Sequence, residues 1–284
     1  MSIVVTGATG HLGRHVVEQL LEKVPAEQIT AVVRTPEKAA GLAAKGVKIA
    51  VADYNSPETF DKVFAAGDKV LLISGNEFDK GRPAQHQVVI DAAKAADVAL
   101  LAYTSAPGSL TAALADDHRA TEEALLASGV TYSLLRNGWY NENYTENLAP
   151  VLEHGAVVQA AGDGRVSSAS RADYAAAAVA VLTGEGHENT TYELGGDEPW
   201  GFAEYAAELS KQTGKEIAYN AVSVEAYTGI LTGVGLPAPL AATLAGVDAS
   251  IEKGELVVSS GDLSRLTGRP ATPIAESIAV ALKG

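Results

Sequence analysis

The chain has 284 residues, 47% hydrophobic and 20% charged, an ordinary globular mixture in a length that holds one large domain or a main domain with a smaller attachment. It contains no cysteine, which excludes disulfides, thiolate nucleophiles and cysteine-held metal or iron–sulfur sites. A net charge of −14 argues against direct nucleic-acid binding, which draws on clustered Lys and Arg, yet leaves room for a local basic pocket acting at contact distance.

In chain order, apolar β-branched runs alternate with amphipathic stretches, the pattern of strands buried on both faces and joined by crossover helices. Strands are expected over 3–6, 29–34, 47–52, 69–74, 98–104 and 131–136. Helical stretches begin near His11, Pro36, Pro57, Arg82 and Thr111, several opened by a proline or a capping residue. Beyond about residue 140, Gly and Pro become frequent (162–164, 195–196, 233–239 and 268–273) and the elements shorten. The expected fold is α/β: a Rossmann-type doubly wound parallel sheet with a nucleotide-binding domain over 1–140 and a smaller, mostly helical substrate lobe over 141–284. Segments 171–183 and 192–194 are expected to return to the sheet. The first residues lack the basic region and small-residue cleavage site of a signal peptide, and no apolar run reaches the ~18 residues of a membrane span. A cytoplasmic protein without a membrane partner, monomeric or a small homo-oligomer, is therefore expected.

The most informative stretch is Gly7-Ala8-Thr9-Gly10-His11-Leu12-Gly13, placed directly after the first strand and before the first helix. In this context the first glycine permits a tight turn, the second lets the backbone approach a pyrophosphate, and the third allows close helix-to-strand packing, with helix N–H groups facing the anion. Gly7, Thr9, Gly10, His11, Leu12 and Gly13 are thus candidates for cofactor binding. The second strand ends in Arg34 where NAD-specific sites place an acid, and a guanidinium can clamp a ribose 2′-phosphate. NADP(H) is favoured over NAD(H) on this ground, the alternative being that Arg34 is a solvated surface charge. Asp53 follows the third strand, where it could accept from an adenine amino group or cap a turn before Ser56-Pro57; the two readings weigh equally. His11 and His15 are spaced for a shared metal, but no third ligand is evident and no metal is expected.

Ligands of such sheets sit beyond the carboxyl ends of the strands, which adds Ser74, Gly75, Thr104 and Asn137 to the candidates. The aromatic segment Trp139-Tyr140-Asn141-Glu142-Asn143-Tyr144 could sandwich a planar substrate and bond its oxygens through its amides. Trp139 and Tyr144 could equally serve packing, with Trp139 expected as the core residue, and Glu142 is a candidate acid of unseen orientation.

The opening 5–13 resembles the NmrA-like atypical short-chain dehydrogenases. Ala84-Gln85-His86, Tyr103-Thr104-Ser105, His118-Arg119-Ala120-Thr121-Glu122, the segment 135–144 and the tail 266–273 resemble the type 2 NAD(P)H:quinone oxidoreductases of that group, and the likeness covers essentially the whole chain. The resemblance implies NADPH in the cleft and a quinone as hydride acceptor, without flavin. It places Gly10, His11 and Leu12 at the pyrophosphate, Arg34 at the adenosine phosphate, and Ser74 and Gly75 on the nicotinamide side. Tyr103, Thr104, Asn137, Tyr140 and Asn143 would line the space near the ring. The loop Gly75-Asn76-Glu77-Phe78 departs from the pattern expected of the family.

Short-chain dehydrogenases ordinarily protonate a carbonyl with a tyrosine whose pKa is lowered by a lysine four residues later. None of the ten tyrosines has that lysine. His118 stands where the resemblance would place it, and could orient the nicotinamide ribose or relay a proton with Tyr103 or Tyr140; it could equally be a helix-surface residue paired with Asp116, Asp117 and Arg119. The candidate catalytic set is therefore His118, Tyr103, Tyr140 and Asn143. The absent pair favours a quinone or another planar conjugated carbonyl as acceptor. Two further readings stand beside that one: an NADP(H)-binding redox sensor acting through a protein partner, and a tailoring oxidoreductase of an aromatic natural product.

Overall fold

A computed structural model describes residues 2–76 and 81–283. Along the chain run β1 (Ile3–Val5), α1 (His11–Leu20), β2 (Ile29–Val33), α2 (Ala40–Ala44), β3 (Lys48–Val51), β4 (Lys69–Leu72), α3 (Arg82–Ala95), β5 (Leu100–Ser105), α4 (Leu114–Ser128) and β6 (Tyr132–Asn137). There follow α5 (Glu142–Thr145), α6 (Ala149–His154), β7 (Ala156–Gln159), β8 (Arg165–Val166), α7 (Arg171–Thr183) and β9 (Thr190–Leu194). The last elements are β10 (Trp200–Gly201), α8 (Phe202–Thr213), β11 (Ala218–Ala221), α9 (Val224–Gly233), α10 (Ala238–Glu252), α11 (Asp262–Thr267) and α12 (Ile274–Ala281). No helix among the described residues is long and apolar enough to cross a membrane.

The central sheet has seven strands in the order β3-β2-β1-β4-β5-β6-β9. The pairings from β3 through β6 are parallel. The chain winds outward from β1 to β3, then restarts at β4 on the other side of β1. That reversal opens a crevice at the carboxyl ends of β1 and β4, the usual ligand position in a doubly wound sheet. The expected Rossmann-type architecture is present, and all six expected strands form within a residue or two of their expected ends. Of the expected helices, the stretch at Pro57 is only a short 3-10 turn (Pro57–Phe60), and the one at Pro36 begins as a 3-10 turn (Pro36–Ala39) before α2.

The chain packs as two compact units. The first comprises Met1–Ala106, Asp117–Asn137 and Arg171–Tyr192, and so contains α7 and most of β9. Its α1 buries Leu12, Gly13, Val16, Val17 and Leu20 on one face, a helical spacing of apolar residues, and packs against α7 and the sheet. Val4, Val32, Leu72, Tyr103 and Leu134 from the central strands meet Val89, Ile90 and Leu125 of the flanking helices in its core. The second unit comprises Pro107–Asp116, Gly138–Ser170 and Glu193–Gly284. It is mostly helical, with two small sheets pairing β8 to β10 and β7 to β11. Tyr144, Trp200, Phe202 and Tyr205 pack there in a cluster, mostly edge to face, with ring centroids 5.2–6.1 Å apart.

Candidate active site

Each glycine of the first loop has its own physical reason. Gly7 adopts φ +59°, a left-handed conformation that a side chain disfavours. A Cβ on Gly13 would lie 2.3 Å from the Gly7 carbonyl oxygen and 2.8 Å from Ala8 Cα, so only glycine lets α1 start this close to the loop. Gly10 donates its N–H to the Gly7 carbonyl at 2.9 Å and serves as the N-cap of α1 without any side-chain cap. Gly7, Gly10 and His11 are exposed, Thr9 is half-buried, and Leu12 and Gly13 are buried. The first turn of α1 therefore presents backbone N–H groups at an exposed surface, as an anion requires.

Arg34 lies exposed immediately after β2, and its charge is felt at the phenol of Tyr54. Asp53 follows β3 and forms a local turn: its Oδ1 accepts from the Asn55 N–H at 2.9 Å and from Asn55 Nδ2 at 3.2 Å, while its carbonyl accepts from the Ser56 N–H. The turn, one of the two readings of Asp53, is formed through Oδ1. Tyr54 Oη bonds the Ile73 carbonyl at 2.9 Å and sits 2.5 Å from Thr6 Oγ1, tying the ends of β1, β3 and β4 together.

Beyond β4 and β5, the Ser74 N–H donates to Thr104 Oγ1 at 2.9 Å and the Gly75 N–H donates to His86 Nε2 at 2.9 Å. A Cβ on Gly75 would lie 3.1 Å from Gln85 Oε1, whose amide Nε2 bonds Asn55. Glu77 and Phe78 lie outside the described residues. Asn137 ends β6 almost fully buried, and its Oδ1 accepts no hydrogen bond among the described residues. A buried acceptor without a donor is costly. The glycine loop, with the exposed N–H groups at the start of α1, is what fits this site to a dinucleotide.

Tyr103 and His118 come together, but not at the surface. Tyr103 is fully buried in the core, its Oη 2.8 Å from His118 Nδ1. His118 is itself buried, and its Nε2 lies 3.0 Å from Arg82 Nη2. The surface reading of His118 is thereby overturned, and so is the expectation that Tyr103 lines the space beside the cofactor ring. The cause is the strand's alternation: Thr104 points to Ser74 at the sheet end, so its neighbour Tyr103 points into the core. Burial pushes the Tyr103 phenol well above its usual range. Burial and the Arg82 guanidinium push both His118 and His86 down to about 3, so both rings are neutral.

In the second unit, Tyr140 is half-buried and forms an isolated bridge with Ala169, while Asn143 is exposed. Asn141, expected to offer its amide to a substrate, is instead fully occupied: Nδ2 donates to the Thr272 carbonyl at 3.1 Å and to Ser277 Oγ at 2.9 Å, and Oδ1 accepts from Ser168 Oγ. Glu142 is half-buried. Trp139 and Tyr144 are both half-buried, so Trp139 is not the core residue expected; Tyr144 packs its ring against Trp200, Phe202 and Tyr205. Arg82 and Thr121 were not singled out by sequence reasoning. A buried arginine in the first turn of a helix has no periodic signature, and its value appears only through partners far along the chain.

A family model described as NAD(P)H-binding matches residues 7–185. Quinone oxidoreductase 2 of Escherichia coli (strain K12) is 48% identical over 278 residues, covering 97% of this chain and 97% of the relative. Among solved structures, the NADPH-dependent quinone oxidoreductase of Escherichia coli complexed with NADPH matches with a TM-score of 0.95 at 47% identity, covering 99% of each chain. The Citrobacter sp. triphenylmethane reductase complexed with NADP(H) matches with a TM-score of 0.94 at 43% identity, covering 99% of this chain and 100% of that one. A glycine loop at the β1/β4 switch point, in a chain this similar over its whole length to such proteins, places the protein in the NAD(P)H-binding family, within the NmrA-like short-chain dehydrogenases that include the type 2 quinone oxidoreductases.

Proposed function

We propose that the protein is an NADPH-dependent oxidoreductase that reduces a quinone or another planar conjugated carbonyl without flavin. NADPH, when bound, supplies the hydride. Gly7, Thr9, Gly10, His11 and Leu12 hold the pyrophosphate on loop and helix N–H groups, and Gly13 makes room for that loop. Arg34 clamps the 2′-phosphate bidentately, which selects NADPH over NADH. Ser74, Gly75, Thr104 and Asn137 position the nicotinamide end, and Tyr140 and Asn143 are the candidate residues for the acceptor. The resemblance of the chain to proteins named for quinones and triphenylmethane dyes fits a flat, conjugated acceptor.

The observation that carries the choice of acceptor is the burial of the Tyr103–His118 pair. A neutral histidine and a phenol held above its usual range offer no ready proton to a substrate carbonyl. Reduction of an unactivated ketone needs a positioned acid. A quinone accepts hydride into an electron-poor ring and can take its protons from water. Stopped-flow loss of NADPH absorbance with a panel of quinones and, for contrast, simple ketones tests this. Turnover of quinones with little or none of ketones is expected; no quinone turnover above buffer would sink the reading and leave that of a redox sensor.

A further inference from the structure

The chain leaving β4 has three successive N–H groups held by side chains instead of a neighbouring strand. Ile73 donates to Thr6 Oγ1 at 3.1 Å, Ser74 to Thr104 Oγ1 at 2.9 Å and Gly75 to His86 Nε2 at 2.9 Å. In a trans peptide the N–H and the preceding carbonyl point in opposite directions, so each bond also aims a carbonyl. The carbonyl of Ile73, opposite the Ser74 N–H, meets Tyr54 Oη. The carbonyl of Ser74, opposite the Gly75 N–H, is turned away from His86, and no donor among the described residues reaches it.

His86 can hold Gly75 only as one tautomer, and its surroundings select that one. Accepting at Nε2 requires the hydrogen on Nδ1, which lies 2.8 Å from Thr121 Oγ1; the Thr121 hydroxyl spends its own hydrogen on the Asp117 carbonyl at 2.8 Å. Thr121 Oγ1 must therefore accept from His86. The other end of the network is fixed in the same way. Arg82 Nη2 is only a donor, so His118 Nε2 accepts, and its Nδ1–H donates to Tyr103 Oη. The Tyr103 hydroxyl in turn faces Thr121, and its ring packs 5.4 Å from that of His86. Every hydrogen in the chain from Arg82 through His118, Tyr103 and Thr121 has one consistent place, and a proton added to Nε2 of either histidine would face another N–H.

We propose that His86 is a positioning residue of the hydride-transfer site: its Nε2 anchors the Gly75 N–H and so turns the Ser74 carbonyl outward as the acceptor for the carboxamide N–H of the nicotinamide, while Thr121, Tyr103, His118 and Arg82 fix the ring. This rests on the cofactor reading above.

The experiment separates the two ends of the cofactor. Dissociation constants for NADPH and for 2′,5′-ADP, which lacks the nicotinamide, are measured by fluorescence and calorimetry for the wild type, His86→Leu and His86→Gln. His86→Leu should weaken NADPH about tenfold, the worth of one well-placed hydrogen bond, and leave 2′,5′-ADP unchanged. His86→Gln, whose Oε1 can accept from Gly75, should recover most of the loss. Equal weakening of both ligands, no weakening of either, or His86→Gln behaving like His86→Leu would overturn the proposal. Should His86→Leu fail to fold, Thr121→Val, which frees the ring to turn, should show the same split in smaller degree, and its absence counts equally against it. A wild-type protein that binds NADPH but reduces no quinone would defeat the acceptor reading while leaving this one standing.

Discussion

Arg34 lies exposed at the carboxyl end of β2, beside the glycine loop whose Ala8 N–H donates to the Val32 carbonyl, where its worth depends on whether a 2′-phosphate is present. A charge-assisted, bidentate contact contributes about 1.5–3 kcal/mol, so Arg34→Ala should weaken NADPH roughly 10- to 100-fold and NADH little. Titration of both dinucleotides checks this, and equal losses would show that the guanidinium is not the phosphate clamp. Residues of this kind are legible in the sequence because local geometry dictates them: Gly7 by its positive φ, Gly13 by the approach of the Gly7 carbonyl, Arg34 by its place after a strand. His118 was not legible, although it was singled out. Whether it faces in or out is decided by Arg82 and Tyr103, 36 and 15 residues away, and neither helical spacing nor flanking charge reports them. Asn141 misled for the same reason, its amide being claimed by Thr272 and Ser277 more than a hundred residues on.

At the scale of elements, the strand order and the crossover helices follow from apolar runs and turn residues, which is why the sheet was readable and its short 3-10 connections were not. Helix pairing decides more. It brings His86 of α3 and His118 of α4 into one buried network with Arg82, Asp117 and Glu122 as the charged groups around it. Both histidines have folded pKa values of about 3, below the ordinary ~6.5. Between those limits the unfolded chain binds protons that the folded chain does not, so this stability is fully present above about pH 6.5 and is lost as pH falls toward 3. Asp248 of α10 has the opposite sign. It is buried, its Oδ2 accepts from the Ala160 N–H at 2.7 Å, and burial pushes its pKa up to about 7. Its contribution is fully present below about pH 4 and is lost as pH rises toward 7. Each group changes the slope of stability against pH by up to about 1.4 kcal/mol per unit. Denaturant unfolding across pH 4–8 should therefore show His86→Gln flattening the acid-side slope by about one proton. Asp248→Asn should add roughly 1–3 kcal/mol at pH 8 and almost nothing at pH 4. An Asp248→Asn protein no more stable than wild type at pH 8 would mean that water or a cation reaches that carboxylate.

For the molecule as a whole, the net charge of −14 confronts an anionic dinucleotide. Two electrostatic effects act at different ranges. The summed charge repels NADPH over the Debye length, about 30 Å at 0.01 M salt and about 8 Å at 0.15 M. The attraction of Arg34 and the loop N–H groups acts only at contact and is screened much less. Low salt should therefore hinder arrival more than it helps holding. The association rate of NADPH, followed by stopped-flow fluorescence, is expected to rise severalfold between 0.01 and 0.15 M salt, with a smaller change in the dissociation rate. Arg34→Ala should keep that rise, because it originates in the distributed acidic residues and not in the clamp. An association rate that falls with salt would show instead that the crevice at β1 and β4 carries a positive field strong enough to steer the cofactor against the charge of the whole chain.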